Sequence, residues 1–417
     1  MKVLVLGQGA REHALGWLLR SQHECTEVII HPGNAGTQRL GFRSFSPAAS
    51  LPDLVTKAIS ENVQLVVIGP ETLLEQGYAD AFREQGIWVV GPNRSSAQLE
   101  SSKVFAKQFM EKANIPTARF HIFESEEALT QFEQTQWPWV LKLDGLAAGK
   151  GVVIAQNPGD VQRFAKAVWK NHFFGEGPHR ILAEDFLLGH EISYIGFCDG
   201  KSFTPLASAT DYKRVFDHHQ GANTGGMGAI SPSPYFSDSL ERIIQKRVIE
   251  PFLREVQSSG MDYRGILFVG LMVDSNGNPT VLEFNTRFGD PETQCVLPRF
   301  RSSFLSALIA TATQELYKLP PLEWSSETSV YVVACAAGYP GEVKCGDAIE
   351  GLEIFPSDST LFFAGVSVKD HQLVTQGGRV LGVGCLGNSI ESARQKTYSR
   401  LSHLTWPGIH YRRDIGL

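Results

Sequence analysis

Trp139-Val140-Leu141-Lys142-Leu143-Asp144-Gly145-Leu146-Ala147-Ala148-Gly149-Lys150-Gly151 runs from an apolar strand carrying one lysine into a glycine-rich loop carrying a second. Glycines at 145, 149 and 151 let backbone N–H groups approach a polyphosphate closely, and Lys142 and Lys150 supply positive charge. The loop is not a Walker A sequence, because Gly151 follows Lys150 where that motif needs the hydroxyl that holds magnesium. The expectation is a nucleoside triphosphate under a flexible glycine flap. The alternative is an ordinary hairpin with a solvated lysine, and the rest of the chain decides between them.

Downstream, Val281-Leu282-Glu283-Phe284-Asn285 reads as a strand whose alternate residues share a face. Glu283 and Asn285 then point together, while Leu282 and Phe284 point into a core. A carboxylate beside an amide oxygen is a hard ligand pair suited to magnesium bridging phosphates. Arg287 follows on the same side, placed to hold an oxyanion or carboxylate with two hydrogen bonds. The competing reading is a strand end with a surface salt bridge. Ile181–Leu187 reads as another strand ending in acids; in a nucleotide site, backbone groups of Glu184, Asp185 and Phe186 would read adenine and Glu191 the ribose hydroxyls. Asp211-Tyr212-Lys213-Arg214 precedes the glycine-rich loop 221–228, so Lys213 and Arg214 would neutralise phosphate while the loop wraps a small substrate. His218-His219 are expected in solvent, with no spacing that makes a metal site.

The first hundred residues alternate strands, at Lys2–Leu6, Val28–His31, Leu65–Ile68 and Trp88–Val90, with helical stretches. That alternation predicts a doubly wound parallel sheet, which binds ligands beyond the carboxyl ends of its strands. Those ends are Gly7–His13, Pro32–Thr37, Gly69-Pro70-Glu71 and Gly91-Pro92, all glycine-rich turns. A dinucleotide site fails twice. Glu12 stands where the third fingerprint glycine belongs, and the second strand ends in His31-Pro32 without an acid for ribose. Arg11 at a helix start suits a phosphate monoester better; otherwise it is a surface cation.

A chain of 417 residues is too long for one core. The net charge of −6 argues against nucleic acid or a polybasic membrane surface. The start is too short an apolar run for a signal peptide, and no stretch is long enough to span a membrane. Six cysteines at 25, 198, 295, 335, 345 and 385 show no Cys-x-x-Cys and no zinc spacing, so reduced thiols and a cytoplasmic setting are expected. After Pro320-Pro321 the composition resets to a strand-rich tail with one helix near Ser389–Leu404. The class is multidomain α/β and α+β.

Over nearly its whole length the chain resembles the phosphoribosylamine–glycine ligase family of ATP-grasp enzymes. The resemblance rests on Gly7-x-Gly9-x-Arg11-Glu12-His13, Pro32–Thr37, Lys142 with Asp144–Gly151, Asn223–Gly228, Glu283–Gln294 and the tail Tyr411-Arg412-x-Asp414-Ile415-Gly416. It departs at Ala222, where the family usually has proline, at His218-His219-Gln220, where it has acids, and at Thr286, often cysteine. The resemblance implies four parts: a phosphosugar domain at 1–102, a linker helix and small lid at 103–190, a central ATP-grasp domain at 191–325 and a C-terminal domain at 326–417.

It implies further that glycine is joined to 5-phosphoribosylamine through glycyl phosphate, with ATP as the energy source and magnesium or manganese on Glu283 and Asn285, in purine biosynthesis. Lys103 and Lys142 are expected on the α- and β-phosphates, with Gly145, Gly149, Lys150 and Gly151 closing over them and Lys213 nearby. Arg287 steadies the acyl phosphate. The phosphosugar and glycine fall to Gly9, Arg11, Glu12, Asn34, Gly36 and Thr37, with Pro70 and Glu71. On the central side, Asp211, Asn223, Gly225, Gly226 and Asp290 join them. The partners are small molecules, with no nucleic acid and no membrane, and the unit is a monomer. The rivals are an ATP-grasp ligase for other substrates, a nicotinamide-dependent oxidoreductase, and an inactive nucleotide-binding regulator.

Overall fold

The computed structural model describes the chain of 417 residues apart from residues 135, 147–150, 172, 176 and 355–357. Four parallel strands open it, ordered Glu27–Pro32, Lys2–Gly7, Leu65–Ile68, Trp88–Val90. The strand Lys2–Gly7 is buried on both faces. Val3 and Val5 enter one apolar cluster with the helix Ala10–Arg20, and Leu4 and Leu6 enter another beneath Leu54, Leu74 and Phe82. That two-sided burial is why the strand reads as a continuous apolar run. As expected, the glycine-rich turns gather at one end of this sheet.

The part expected as a lid holds an antiparallel sheet ordered Phe120–Phe123, Ile181–Asp185, Trp139–Leu143, Val152–Ala155, backed by the helix Pro158–Trp169. Trp139 anchors its core beside Phe123 and Phe164. A second antiparallel sheet, Phe203–Pro205, His190–Cys198, Gly265–Val273 and Pro279–Asn285, forms the centre. The expected hairpin is there, turning at Gly277, where φ is +79° and glycine carries no steric penalty.

One expectation about this hairpin is corrected. The register slips between Gly270 and Leu271, so Gly270 faces Glu283 and Leu271 faces Val281, and Leu282 is the extra residue of a bulge. Val281 and Phe284, not Leu282 and Phe284, enter the core. A bulge consumes one residue of the alternation, so period-two reading fails across it.

The third sheet is ordered Thr210–Asp211, Gly228–Ser231, Thr328–Cys335, Arg379–Gly387, Ser359–Phe363, and the helix Ile390–Leu401, capped by Ser389, packs on it. It therefore joins two short strands from the middle of the chain to the strand-rich tail. Its edge strand reaches the N-terminal part. Phe363 N donates to His13 Nδ1 at 2.9 Å, and Asn34 Nδ2 donates to Phe363 O at 3.0 Å. A Cβ on Gly36 would lie 2.1 Å from the Phe363 ring, so only glycine allows that approach. Among the described residues no helix is long and apolar enough to cross a membrane. All six cysteines are free thiols, four of them buried.

Candidate active site

The glycine-rich turn after the first strand is filled from within. Glu12 is buried, and its Oε2 accepts from Gly9 N at 2.7 Å while its Oε1 accepts from Arg11 Nε at 2.6 Å. A Cβ on Gly69 would lie 2.0 Å from Glu12 Oε1, so Gly69 leaves room for the carboxylate and for nothing else. Glu12 thus occupies the space that a dinucleotide pyrophosphate takes at such a helix start. Arg11 is no surface cation: it is buried and also donates to the Phe288 carbonyl at 3.1 Å. Asn34 and Thr37 serve their own helix, Asn34 Oδ1 accepting from Thr37 N at 3.0 Å and Thr37 Oγ1 from Asn34 N at 3.0 Å. Pro70 caps the helix Glu71–Glu75.

From this rim Glu71 reaches the central strand. Arg287 Nε donates to Glu71 Oε2 at 3.2 Å, Nη2 lies 2.9 Å from Glu100 Oε1, and Nη2 also donates to Asn285 Oδ1 at 3.3 Å. Burial raises the Glu100 carboxyl, opposed by Arg287. Burial would raise Glu71 too, but Arg287 and Arg11 hold it below the usual carboxylate range. Thr286 donates from N at 2.7 Å and from Oγ1 at 3.1 Å to Glu100 Oε2, which gives the hydroxyl at this unusual position a purpose.

The Glu283 side chain makes no hydrogen bond or ion pair among the described residues, while its backbone stays in the strand opposite Gly270. Burial pushes its carboxyl up, yet Lys213, Lys142, Lys103 and Arg287 outweigh burial and hold it low, hence ionised. Lys103 Nζ donates to Gly145 O at 2.8 Å. Lys142 Nζ lies 3.0 Å from Glu184 Oε1 and donates to Leu282 O at 3.4 Å. Lys213 is ion-paired with Glu191; burial would lower its ammonium, and Glu191, Glu283 and Asp211 raise it. Gly151 closes the flap's far end, its carbonyl accepting from Leu143 N at 2.7 Å, while Gly149 and Lys150 lie outside the described residues. The Glu184 side chain is buried between lysines. Glu184 and Asp185 belong to a strand paired on both sides, which ends there and leaves Phe186 exposed. Asp185 also pairs with Arg119 at 2.7 Å.

On the opposite side stand Asp211, Glu292 and Asp290. Asp211 Oδ1 is buried without a hydrogen-bond partner, and burial and Glu292 together raise this carboxyl well above its ordinary value. Glu292 Oε1 accepts from Ser193 Oγ at 2.8 Å, and its carboxyl is likewise raised by burial. A Cβ on Gly226 would lie 2.8 Å from Asp211 Oδ1, so the loop lies directly over this acid. Gly225 N donates to Tyr339 Oη at 3.1 Å. Asn223 sits apart, exposed on the ribbon Arg214–Phe216 with Gln220–Asn223. His218 and His219 are exposed as expected, although His218 N donates to Asp414 Oδ2 at 2.8 Å, which explains the nearby tail motif.

The site therefore gathers four cations around the Glu283 carboxylate, with an acidic corner of Asp211, Glu292 and Asp290 beside it. Glu100, Lys107, Tyr339 and Arg379 are members that sequence reading missed, and Glu292 falls in the polar run 283–294 without a role of its own. Glu100 and Lys107 lie on ordinary-looking helices and Arg379 begins an unremarkable strand, so no local signal marks them.

Three family models match the chain: the N domain of phosphoribosylglycinamide synthetase over residues 1–100, its ATP-grasp (A) domain over 101–293 and its C domain over 329–417. A phosphoribosylamine–glycine ligase of Escherichia coli O6:H1 is 40% identical, covering 100% of this chain and 98% of its own. The crystal structure of a phosphoribosylamine–glycine ligase from Thermotoga maritima superposes with a TM-score of 0.86 at 36% identity, covering 100% of both chains. The biotin carboxylase domain of a Hydrogenobacter thermophilus 2-oxoglutarate carboxylase gives a TM-score of 0.73 at 17% identity over 98% of this chain and 91% of its own, a likeness of fold alone.

Proposed function

We propose that this chain, a member of the phosphoribosylglycinamide synthetase family, joins glycine to 5-phosphoribosylamine with cleavage of ATP. It belongs to that family over its length, through all three domain models. The observation that carries the reading is the buried Glu283 side chain, which has no hydrogen bond or ion pair among the described residues and stands among Lys103, Lys142, Lys213 and Arg287. Such a ring of cations around one carboxylate suits a metal-bound polyphosphate.

A carboxylate does not react with an amine unaided, since it has no adequate leaving group. In the proposed reaction an oxygen of the glycine carboxylate attacks the γ-phosphorus and the bond to the β–γ bridging oxygen breaks, releasing ADP and leaving glycyl phosphate. The sugar amine then attacks the carbonyl carbon, phosphate departs with the former carboxylate oxygen, and the amine loses a proton. The protein's work is positioning and charge neutralisation. Lys103 and Lys142 hold the α- and β-phosphates. Arg287, aligned by Glu71 and Glu100, steadies the acyl phosphate. The flap from Gly145 to Gly151, with Gly149 and Lys150, excludes water.

The donor set fits a hard divalent ion, magnesium or manganese: Glu283 is ionised with its oxygens unengaged, and Asn285 adds an amide oxygen without charge. Held by Glu283 and Asn285, such an ion would supply positive charge against the phosphates. The half-open end of the strand at Asp185–Phe186 faces adenine, and Glu191 the ribose. The acids of this corner, Asp211 with an oxygen that accepts no hydrogen bond and Glu292, suit the ammonium of glycine. Arg11, Glu12 and Asp290, with Gly9, form the rim on which the phosphosugar rests; Asn34, Gly36, Thr37 and Pro70 shape its walls, and Asn223, Gly225 and Gly226 cover the corner. We keep the four-part division at 102, 190 and 325, and take a cytoplasmic monomer as the working unit.

ADP release tests this reading. It should require glycine and phosphoribosylamine together, with glycinamide ribonucleotide as the product. Equal ADP release with another amino acid would move the chain to a different substrate pair.

A further inference from the structure

One charged cluster lies behind the phosphate-facing groups, and the reaction described above does not use it. Lys107, on the helix Lys103–Lys112, is 1% exposed. Its Nζ donates to Thr117 Oγ1 at 2.6 Å and lies 3.3 Å from Glu184 Oε2. The other oxygen of Glu184 lies 3.0 Å from Lys142 Nζ, close enough for an ion pair although not aligned as a hydrogen bond. Thr117 Oγ1 in turn donates to the Val281 carbonyl at 2.8 Å, and Lys142 Nζ donates to the Leu282 carbonyl at 3.4 Å. Both branches thus end on consecutive carbonyls of the bulge that precedes Glu283.

Stability does not explain this arrangement. Two ammonium groups and a carboxylate taken out of water lose hydration that their mutual attraction only partly restores, and well-packed apolar side chains would serve a core at least as well. Burial pushes the Lys107 ammonium down to about 8, with Glu184 opposing that fall and Lys142 adding to it. The Phe120 ring, 5.6 Å from Nζ, completes its surroundings. What the cluster does achieve is geometric. Lys142 stands on the lid sheet and Glu283 on the central hairpin, and a triphosphate between them requires a set separation. Misplacement by about 1 Å is enough to lower a rate by ~100-fold.

We propose that Lys107 is a positioning residue which, through Glu184 on one side and Thr117 on the other, sets the distance between Lys142 and the bulged strand carrying Glu283. The inference rests on the reading of Lys142 and Glu283 as facing the nucleotide phosphates. The bulge gives it a reason: the one extra residue, Leu282, is left out of the ladder, so its carbonyl is open to Lys142 beside the Val281 carbonyl that Thr117 already reaches.

The test is the affinity for magnesium-ATP, measured by titration calorimetry on the full chain, beside the unfolding midpoint. Lys107→Met should weaken nucleotide binding by about 10-fold, with KM for glycine unchanged, and Lys107→Arg should restore most of it. Lys107→Met also leaves Glu184 short of one counter-charge and should lower the unfolding midpoint. The double variant Lys107→Met with Glu184→Gln removes that imbalance, so its midpoint should recover while nucleotide binding stays weak. Recovery of both together would show that Lys107 only balances charge and would overturn the proposal, as would a Lys107→Met protein with wild-type nucleotide affinity. Should Lys107→Met fail to fold, Thr117→Val carries the test, with binding expected about 3-fold weaker and wild-type binding counting against the relay. A wild-type protein that binds nucleotide but forms no product would fault the ligase reading while leaving this result intact.

Discussion

Arg379 Nη2 donates to Asp290 Oδ2 at 3.0 Å, and Arg379 Nη1 donates to the carbonyls of Asp290 at 3.1 Å and Gly225 at 2.6 Å. One side chain from the strand-rich tail thereby ties the polar run 283–294 to the glycine-rich loop over Asp211. Burial would raise the Asp290 carboxyl, but Arg379 and Arg11 keep it below its ordinary value. The C-terminal sheet is thus part of the site's wall.

Arg379→Lys should raise KM for glycine by about 10-fold, because a single ammonium cannot hold a carboxylate and two carbonyls in one plane. The affinity for ATP, which the proposed reading places on Lys103 and Lys142, should change by less than about 2-fold. Steady-state kinetics with each substrate varied separately checks both. Equal losses in the two would mean that Arg379 supports the whole structure rather than the loop.

Glu283→Gln should lower kcat by about 1,000-fold with the fold retained, since the carboxylate makes no hydrogen bond or ion pair among the described residues. Asn285→Ala should act in the same direction and also free Arg287 from one hydrogen bond. Near-wild-type turnover of either variant at saturating magnesium would remove these residues from the metal assignment.

Acid should destabilise the chain through His13. Its ring is buried against Phe42, Phe362 and Phe363, its Nδ1 accepts from Phe363 N, and burial, with Arg20, pushes its pKa down to about 3. In the unfolded chain the same ring titrates near its ordinary value of about 6.5, so below that pH the unfolded state takes up a proton that the folded state refuses. The stabilisation is complete above about 6.5 and is lost progressively as pH falls toward 3, amounting to about 2 kcal/mol at pH 5. His31, also lowered by burial, adds to the trend. Denaturant unfolding at pH 7.5 and pH 5 should therefore show a smaller acid loss for His13→Gln than for wild type. Identical losses would place the acid sensitivity elsewhere.

Much of this architecture was legible before any coordinates, for identifiable reasons. Parallel strands buried on both faces read as unbroken apolar runs between glycine turns, and the strand Leu65–Ile68 falls where the pattern placed it. The hairpin at Gly277 carries its own turn chemistry. The bulge at Leu282 was invisible because it depends on pairing with Gly270, not on local residue types. Strands as short as Thr210–Asp211 and Gly228–Ser231 carry too little pattern to reveal that they extend the C-terminal sheet. Glu12 spoke against a dinucleotide from sequence, yet its filling of the glycine turn required Gly69, which arrives from another strand. Glu100, Lys107 and Arg379 are polar residues in plain settings, and only folding brings them to Arg287, Lys142 and Asp290.

In the proposed reaction glycine is activated as an acyl phosphate before the sugar amine attacks, and the fate of one oxygen atom tests this order. With glycine labelled by oxygen-18 in its carboxylate, and ATP, magnesium and phosphoribosylamine present, one labelled oxygen should pass to each phosphate released, as read by mass spectrometry. ADP formation with no label in the phosphate would contradict the account, and the roles given to Arg287 and the flap would go with it.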